Sequence, residues 1–313
     1  MIERLKRSIP ATVYLIFIFF AVIFTGFITP DGIGKGESVY LLIVTLESMA
    51  FLLPSIIYCH TKGFDYTKGL EIKIPELSKL PVVFSGLFAM ISLNVLLSLV
   101  FMNPEKQQET GQIVGGEVQL ENVNVIGVII ALAVIPAICE EFVFRAVLMR
   151  DYNKYGAMFS IICTSLMFAM IHYDISGFPI YFTSGIFLAM TVYITRSIVC
   201  SILVHAMYNI YSLFFEGWFW SSVTQNVNLV MIIFIAVAVL LLSLLFFFSA
   251  AEKIFVDYAD VGIKAPEGYK KEKKDFEKAD NEDGGEKRAV VAEVLPQIGI
   301  CFLIFIVYII VKG

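Results

Sequence analysis

What most constrains this chain is a series of continuous apolar stretches, each about 18 residues or longer, set apart by polar segments. A stretch of that length crosses a bilayer as a single helix. Lipid offers backbone groups no partner, so each stretch must satisfy its own hydrogen bonds, and continuous rather than alternating hydrophobicity selects helices over barrel strands. Charge density agrees. Only 16% of the 313 residues are Asp, Glu, Lys or Arg and mean hydropathy is +0.81, whereas a soluble domain has about 25% charged residues. The expected fold class is all-α, a polytopic membrane helical bundle of about 8–9 transmembrane helices, with the lipid bilayer as its first partner.

Residues 1–121 are expected to hold three helices, over Pro10–Thr29, Val39–Tyr58 and Leu80–Met102, with a Gly-rich turn at Asp31–Gly36 and a polar loop at Asn103–Asn122. Residues 122–215 hold four more, over Val123–Tyr152, Gly156–His172, Pro179–Arg196 and Ser197–Phe215. Residues 216–251 hold an eighth, Val227–Phe248, after a connection whose Trp218 and Trp220 suit a headgroup interface. Residues 252–289 are dense in Lys, Glu and Asp and read as a solvated cytoplasmic linker. Residues 290–313 hold a last helix, Ala292–Val311. Lys and Arg gather before the first helix, between the second and third, and after the fourth, sixth and eighth. Those sites share one side if all the helices cross, which predicts a cytoplasmic N-terminus and an external C-terminus.

The net charge of −5 says little about partners, since most charges sit in loops; no basic stripe suggests nucleic acid, and none is expected as a partner. Five cysteines, an odd number lying in or beside apolar segments, make no disulfide framework and read as small packing residues; Cys139 is one of them.

One stretch breaks the apolar pattern from within. Pro136–Arg145 carries Glu140, Glu141 and Arg145 where hydrocarbon is expected, and a charge at bilayer centre costs at least about 2.5–3.5 kcal/mol. Such groups face protein or water. Glu141 and Arg145 stand four apart, so they stack on one helix face and pair. Glu140 points about 100° away and is free for another task. Of the three histidines, His60 sits at a helix end, while His172 and His205 lie in apolar segments. Phe168 stands four before His172, where its ring can wall the imidazole, and Asn209 stands four after His205. Counted from the cytoplasmic helix ends at about 1.5 Å per residue, Glu140 lies roughly 18 Å deep, His205 roughly 13 Å, Asn209 roughly 20 Å and His172 roughly 25 Å. Tilt brings these depths into one cavity, provided the fourth helix continues to Tyr152.

A carboxylate, two imidazoles and an amide support two chemistries. In one, Glu140 as general base holds and deprotonates a water with His172, while His205 and Asn209 donate hydrogen bonds to the oxyanion formed at a peptide carbonyl. In the other, Glu140, His172 and His205 bind a zinc ion that activates the water. Asn209 leans towards the first, because amides are good oxyanion donors and poor zinc ligands. Intramembrane Glu, Arg and His also build proton relays, so a proton-coupled transporter is a third reading, although no internal repeat supports it.

The ordered set Glu140-Glu141-x-x-x-Arg145, Phe168-x-x-x-His172 and His205-x-x-x-Asn209 resembles the three motifs of the CPBP family. That family comprises CAAX-processing proteases of the Rce1 type and bacterial relatives linked to bacteriocin processing and immunity. The likeness covers about Asn122 to Phe215; the eighth helix, the charged linker and the last helix lie beyond it. It implies an intramembrane endopeptidase of the glutamate type, open to the cytosol, acting on a lipidated or membrane-associated protein or peptide. It also implies that Glu140 and His172 activate the water, that His205 and Asn209 serve the oxyanion, and that Glu141 and Arg145 support them. No cofactor is expected, with zinc as the alternative that older metalloprotease descriptions of the family keep open. A catalytically silent immunity or scaffold protein on the same fold is the other alternative. The expected location is a prokaryotic cell membrane.

Overall fold

A computed structural model describes residues 2–25, 37–62, 75–102, 124–220, 228–260 and 294–312. Among these residues every regular element is helical. In chain order they are α1 (Ile2–Thr25), α2 (Tyr40–Thr61), α3 (Leu77–Phe101), α4 (Val125–Tyr152), α5 (Ala157–Met170), α6 (Phe178–Thr195), α7 (Ile198–Trp220), α8 (Leu229–Asp260) and α9 (Leu295–Lys312). Seven of them, α2 to α4 and α6 to α9, are long and apolar enough to cross a bilayer; α5 and the Ala11–Thr25 part of α1 are shorter apolar helices. The protein is a polytopic helical membrane bundle.

Local chemistry sets the helix ends. Proline stands in the first turn of the α-helical part of α3, Leu80–Phe101, and in the first turn of α6, where its missing N–H costs nothing. α6 stops at Arg196, which turns left-handed (φ 50°) and returns its N–H to Val192 O at 2.8 Å. Gly156 links α4 to α5 at φ 101°, a conformation a side chain would strain.

α4 is irregular where function was expected. Wider π turns at Ile129–Val134 and Phe142–Leu148 flank a regular segment, Ile135–Glu141. Pro136 explains the first: it has no N–H to give and its ring crowds the carbonyl one turn back, and the widened turn absorbs both effects. The glutamate pair closes the regular segment between the two π turns, so its side chains leave the helix at a direction that both turns set.

α3 lies at the centre of the packing, with α8 along it and α6 and α7 against it. Asn94 ties three of these helices together. Its amide donates to Ser184 Oγ at 2.8 Å and to Tyr208 Oη at 3.0 Å, and its carbonyl accepts from Thr183 Oγ1 at 3.3 Å. Between helices in lipid, such polar contacts and close packing replace hydrophobic burial as the adhesive. α5 and α6 close on each other at Gly185, where an added Cβ would stand 2.9 Å from Ser165 Cβ and 3.0 Å from Ser165 Cα. α9 packs on α1 and α5, and Tyr152 donates to Gln297 Oε1 at 2.6 Å to join α4 to α9. All five cysteines are free and buried.

Several boundaries differ from expectation. α5 ends at Met170, so His172 lies in the turn beyond it rather than on the helix. α7 continues past Phe215 to Trp220, which is 1% exposed and packs with Val95, Ile232 and Ala236; only Trp218, 69% exposed, has the open position expected of both tryptophans. α8 has 32 residues, about 48 Å of helix, against a hydrocarbon core of about 30 Å, so it runs through the first residues assigned to the linker. That extension is held because Ala251 and Ile254 are buried, Tyr258 donates to Thr195 O at 3.0 Å, and Arg196 lies 5.0 Å over the Tyr258 ring. α9 begins at Leu295, three residues after the expected start. The turn at 31–36, the loop at 103–122 and the linker from 261 lie outside the described residues.

Candidate active site

Glu141 is the hub of the polar cluster. It is fully buried. Its Oε1 takes Arg145 Nη1 at 2.8 Å and His205 Nδ1 at 3.0 Å, and its Oε2 accepts from Ser201 Oγ. Arg145 is equally enclosed. Its Nη2 donates to Gly185 O at 3.1 Å and its guanidinium lies 4.6 Å over the Phe168 ring. The pair expected from the i, i+4 spacing therefore forms, and it joins α4 to α5, α6 and α7. A buried charge is tolerable only with such a full set of partners.

The partners also fix which nitrogen carries hydrogen. A carboxylate that already accepts from Arg145 and Ser201 can only accept, so His205 Nδ1 is the donor to Glu141. His205 Nε2 is left facing Glu140, 3.8 Å from its Oε2. In His172, Nδ1 stands 2.7 Å from Phe168 O, a carbonyl that also only accepts. His172 Nε2 is thus the free ring atom.

Phe168 binds the parts into one unit. Its ring meets Arg145 on one side, the His172 ring edge-on at 4.9 Å and the His205 ring at 5.7 Å. His172 is also stacked on Tyr181, with ring centroids 3.9 Å apart and planes 16° apart. Asn209 is anchored to α4. Its Nδ2 donates to Ala133 O at 3.3 Å, two helical turns before Glu140 on α4.

Glu140 has the other character. Its side chain is 14% exposed, and its Oε2 is shielded from solvent without a hydrogen-bond partner in the protein. A second carboxylate oxygen, Glu47 Oε2 on α2, is shielded and unpartnered in the same way. α2 packs on the segment of α4 that carries Glu140. Orphaned buried acceptors are costly, and water or substrate is the usual remedy. Glu47, Ser201 and Tyr181 were not expected from the sequence. Glu47 had the same signal as Glu140, an acid inside an apolar run. Ser201 stands four before His205 and so shares its helix face. Tyr181 has no signal in sequence, because the turn between α5 and α6 brings it onto His172.

The zinc alternative requires Glu140, His172 and His205 to converge as ligands. Among the described residues no three His, Cys, Asp or Glu side chains gather in a way that could hold one metal ion. Cys139 is fully buried beside Glu140, as a packing residue would be.

Comparison with known proteins converges on the same stretch of chain. Residues 122–211 match the family described as Rce1-like, type II CAAX prenyl endopeptidase. A curated protein of Staphylococcus aureus (strain USA300), the membrane-embedded CAAX protease MroQ, is 24% identical over 193 residues, covering 56% of this chain and 74% of the relative. No solved structure matches. The matched segment spans α4 to α7 up to Tyr211 and contains every residue of the cluster except Glu47.

Proposed function

We propose, from the premise that residues 122–211 are an Rce1-like core of the CPBP family and so belong with membrane proteases, that the chain is an intramembrane endopeptidase of the glutamate type. Its substrate is a peptide bond in a lipidated or membrane-associated protein or peptide, such as a lipidated C-terminus or a leader peptide. The observation that carries the reading is Glu140 Oε2, an acceptor shielded and unpartnered, 3.8 Å from His205 Nε2. A water seated there with His172 Nε2 has two acceptors for its protons.

The steps follow from which atoms are free. Glu140 takes a proton from the water as the oxygen attacks the carbonyl carbon of the substrate. The carbonyl oxygen becomes an oxyanion and accepts from the Asn209 amide and from His205 Nε2–H. For His205 to donate there, both ring nitrogens carry hydrogen, and the Glu141 carboxylate on Nδ1 is placed to stabilise that imidazolium. Collapse of the tetrahedral intermediate breaks the C–N bond, and Glu140 returns its proton to the leaving amine. Arg145 holds Glu141 in place, and Phe168 holds both imidazoles at their angles. No step needs a metal ion. The proposal includes a cytoplasmic N-terminus, a site open to the cytosol and a prokaryotic cell membrane, on the distribution of Lys and Arg and on the likeness to a staphylococcal protein.

Comparative mass spectrometry of membrane peptides, from cells holding the wild-type protein or Glu140→Ala, tests the reading. New N-termini that are present only with the wild type support it. Identical peptide sets from the two strains contradict it.

A further inference from the structure

His172 is not on a helix, yet seating a water for Glu140 needs its ring held to within fractions of an ångström. The question is what holds it. The residue that follows, Tyr173, has φ 51°, a left-handed conformation that a bulky side chain adopts only when its surroundings force it. Those surroundings come from helices outside the matched core. Tyr173 Oη donates to Phe19 O of α1 at 2.9 Å. Its ring meets Phe19 edge-on at 6.0 Å and lies 4.6 Å from Tyr308 of α9. The reversed handedness sends the side chains of neighbouring residues opposite ways. Tyr173 enters the seam of α1 and α9, and His172 turns to Phe168 and Tyr181.

We propose that Tyr173 is the positioning residue of His172, gripped by Phe19 on α1 and Tyr308 on α9, so that these peripheral helices set the geometry of the water-activating imidazole. The proposal rests on the reading of His172 as half of the water-activating pair. It gives α9, which lies beyond the matched residues, a task in the chemistry. The strained backbone stores the constraint: releasing the Tyr173 ring lets residue 173 relax to an ordinary conformation and swings His172 off the Phe168 carbonyl.

Selective 15N-histidine labelling of the full chain in liposomes tests this by solid-state NMR, because the protein has only three histidines. His172 gives the signature of a ring with Nδ1–H bonded to a carbonyl, assigned by its loss in His172→Gln. In Tyr308→Ala and in Tyr173→Ala, which loses the ring but keeps the Cβ that disfavours φ 51°, that signature is expected to shift or split, while the His60 and His205 signals stay in place. Tyr308→Phe, which keeps the ring, is expected to match the wild type. On a peptide identified by the mass-spectrometric comparison, turnover in Tyr308→Ala is expected to fall on the order of tenfold or more at unchanged KM. An unmoved His172 signal in Tyr308→Ala overturns the proposal even if Tyr173→Ala fails to fold. So does movement of all three histidines together, which marks general loosening. The NMR readout does not depend on cleavage, so a null there sinks this inference alone, whereas wild-type cleavage by Glu140→Ala sinks the proposed function alone.

Discussion

Arg145→Met separates a structural account of the buried cluster from a decorative one. Methionine keeps the length and the apolar stem, so the change removes the charge and the donors with little loss of packing. Lost with them are the 2.8 Å bond to Glu141, the 3.1 Å bond to Gly185 O and the stacking on Phe168. What remains is a carboxylate with no solvent exposure, held only by Ser201 and His205. Breaking a buried pair by removing one partner costs about 3–5 kcal/mol. Two surviving hydrogen bonds to Glu141 put the expectation at the lower end, about 3 kcal/mol. An exposed i, i+4 pair would cost only about 0.3–0.5 kcal/mol. Reversible unfolding in mixed detergent micelles, titrated with a denaturing detergent, reads the difference. Adding Glu141→Gln to Arg145→Met removes the stranded charge and is expected to recover part of the loss. A single-variant cost under about 0.5 kcal/mol, or a double variant that loses the sum of the two single costs, would refute the reasoning.

Ser201→Ala removes a donor from Glu141 Oε2 and is expected to cost about 1–3 kcal/mol in the same unfolding assay, with a fall in turnover because His205 loses a fixed partner. Gly185→Ala places a methyl group 3.0 Å from Ser165 Cα, backbone that cannot swing aside, and is expected to cost about 1–3 kcal/mol while drawing the Gly185 carbonyl away from Arg145. A chelator is expected to leave cleavage unchanged. Stoichiometric zinc by elemental analysis of the purified protein, with activity lost on its removal and regained on its return, contradicts that outcome.

The bundle was legible because lipid leaves a spanning segment one backbone solution, so runs of apolar residues translate directly into helices. The links from Glu141 to Arg145 and from Phe168 to His172 were legible because four-residue spacing puts side chains on one face. The limits have physical causes too. Helical periodicity carries no warning that Ile171 and His172 lie past the end of α5, because Ile171 continues the apolar pattern and the turn-forming Asp174, Ser176 and Gly177 come only after His172. The same blindness hid Tyr181, which reaches His172 by way of that turn. α8 overran its expected end because Ala250, Ala251, Glu252 and Lys253 are good helix formers: charge marks where the membrane ends, not where the helix does. Trp220 was read as an interfacial anchor, but a contact with α3 and α8 that no local pattern encodes buries it. Glu47 was readable in principle, by the rule that singled out Glu140.

The central claim is that Glu140 removes a proton from the attacking water. Its most direct test is the cleavage rate of purified Glu140→Gln, reconstituted in liposomes and shown to be folded by its unfolding midpoint, on a peptide that the wild type cleaves. General base catalysis is worth about a hundredfold to ten-thousandfold, so a drop of that size at unchanged midpoint is the predicted result. Cleavage by Glu140→Gln at the wild-type rate contradicts the account.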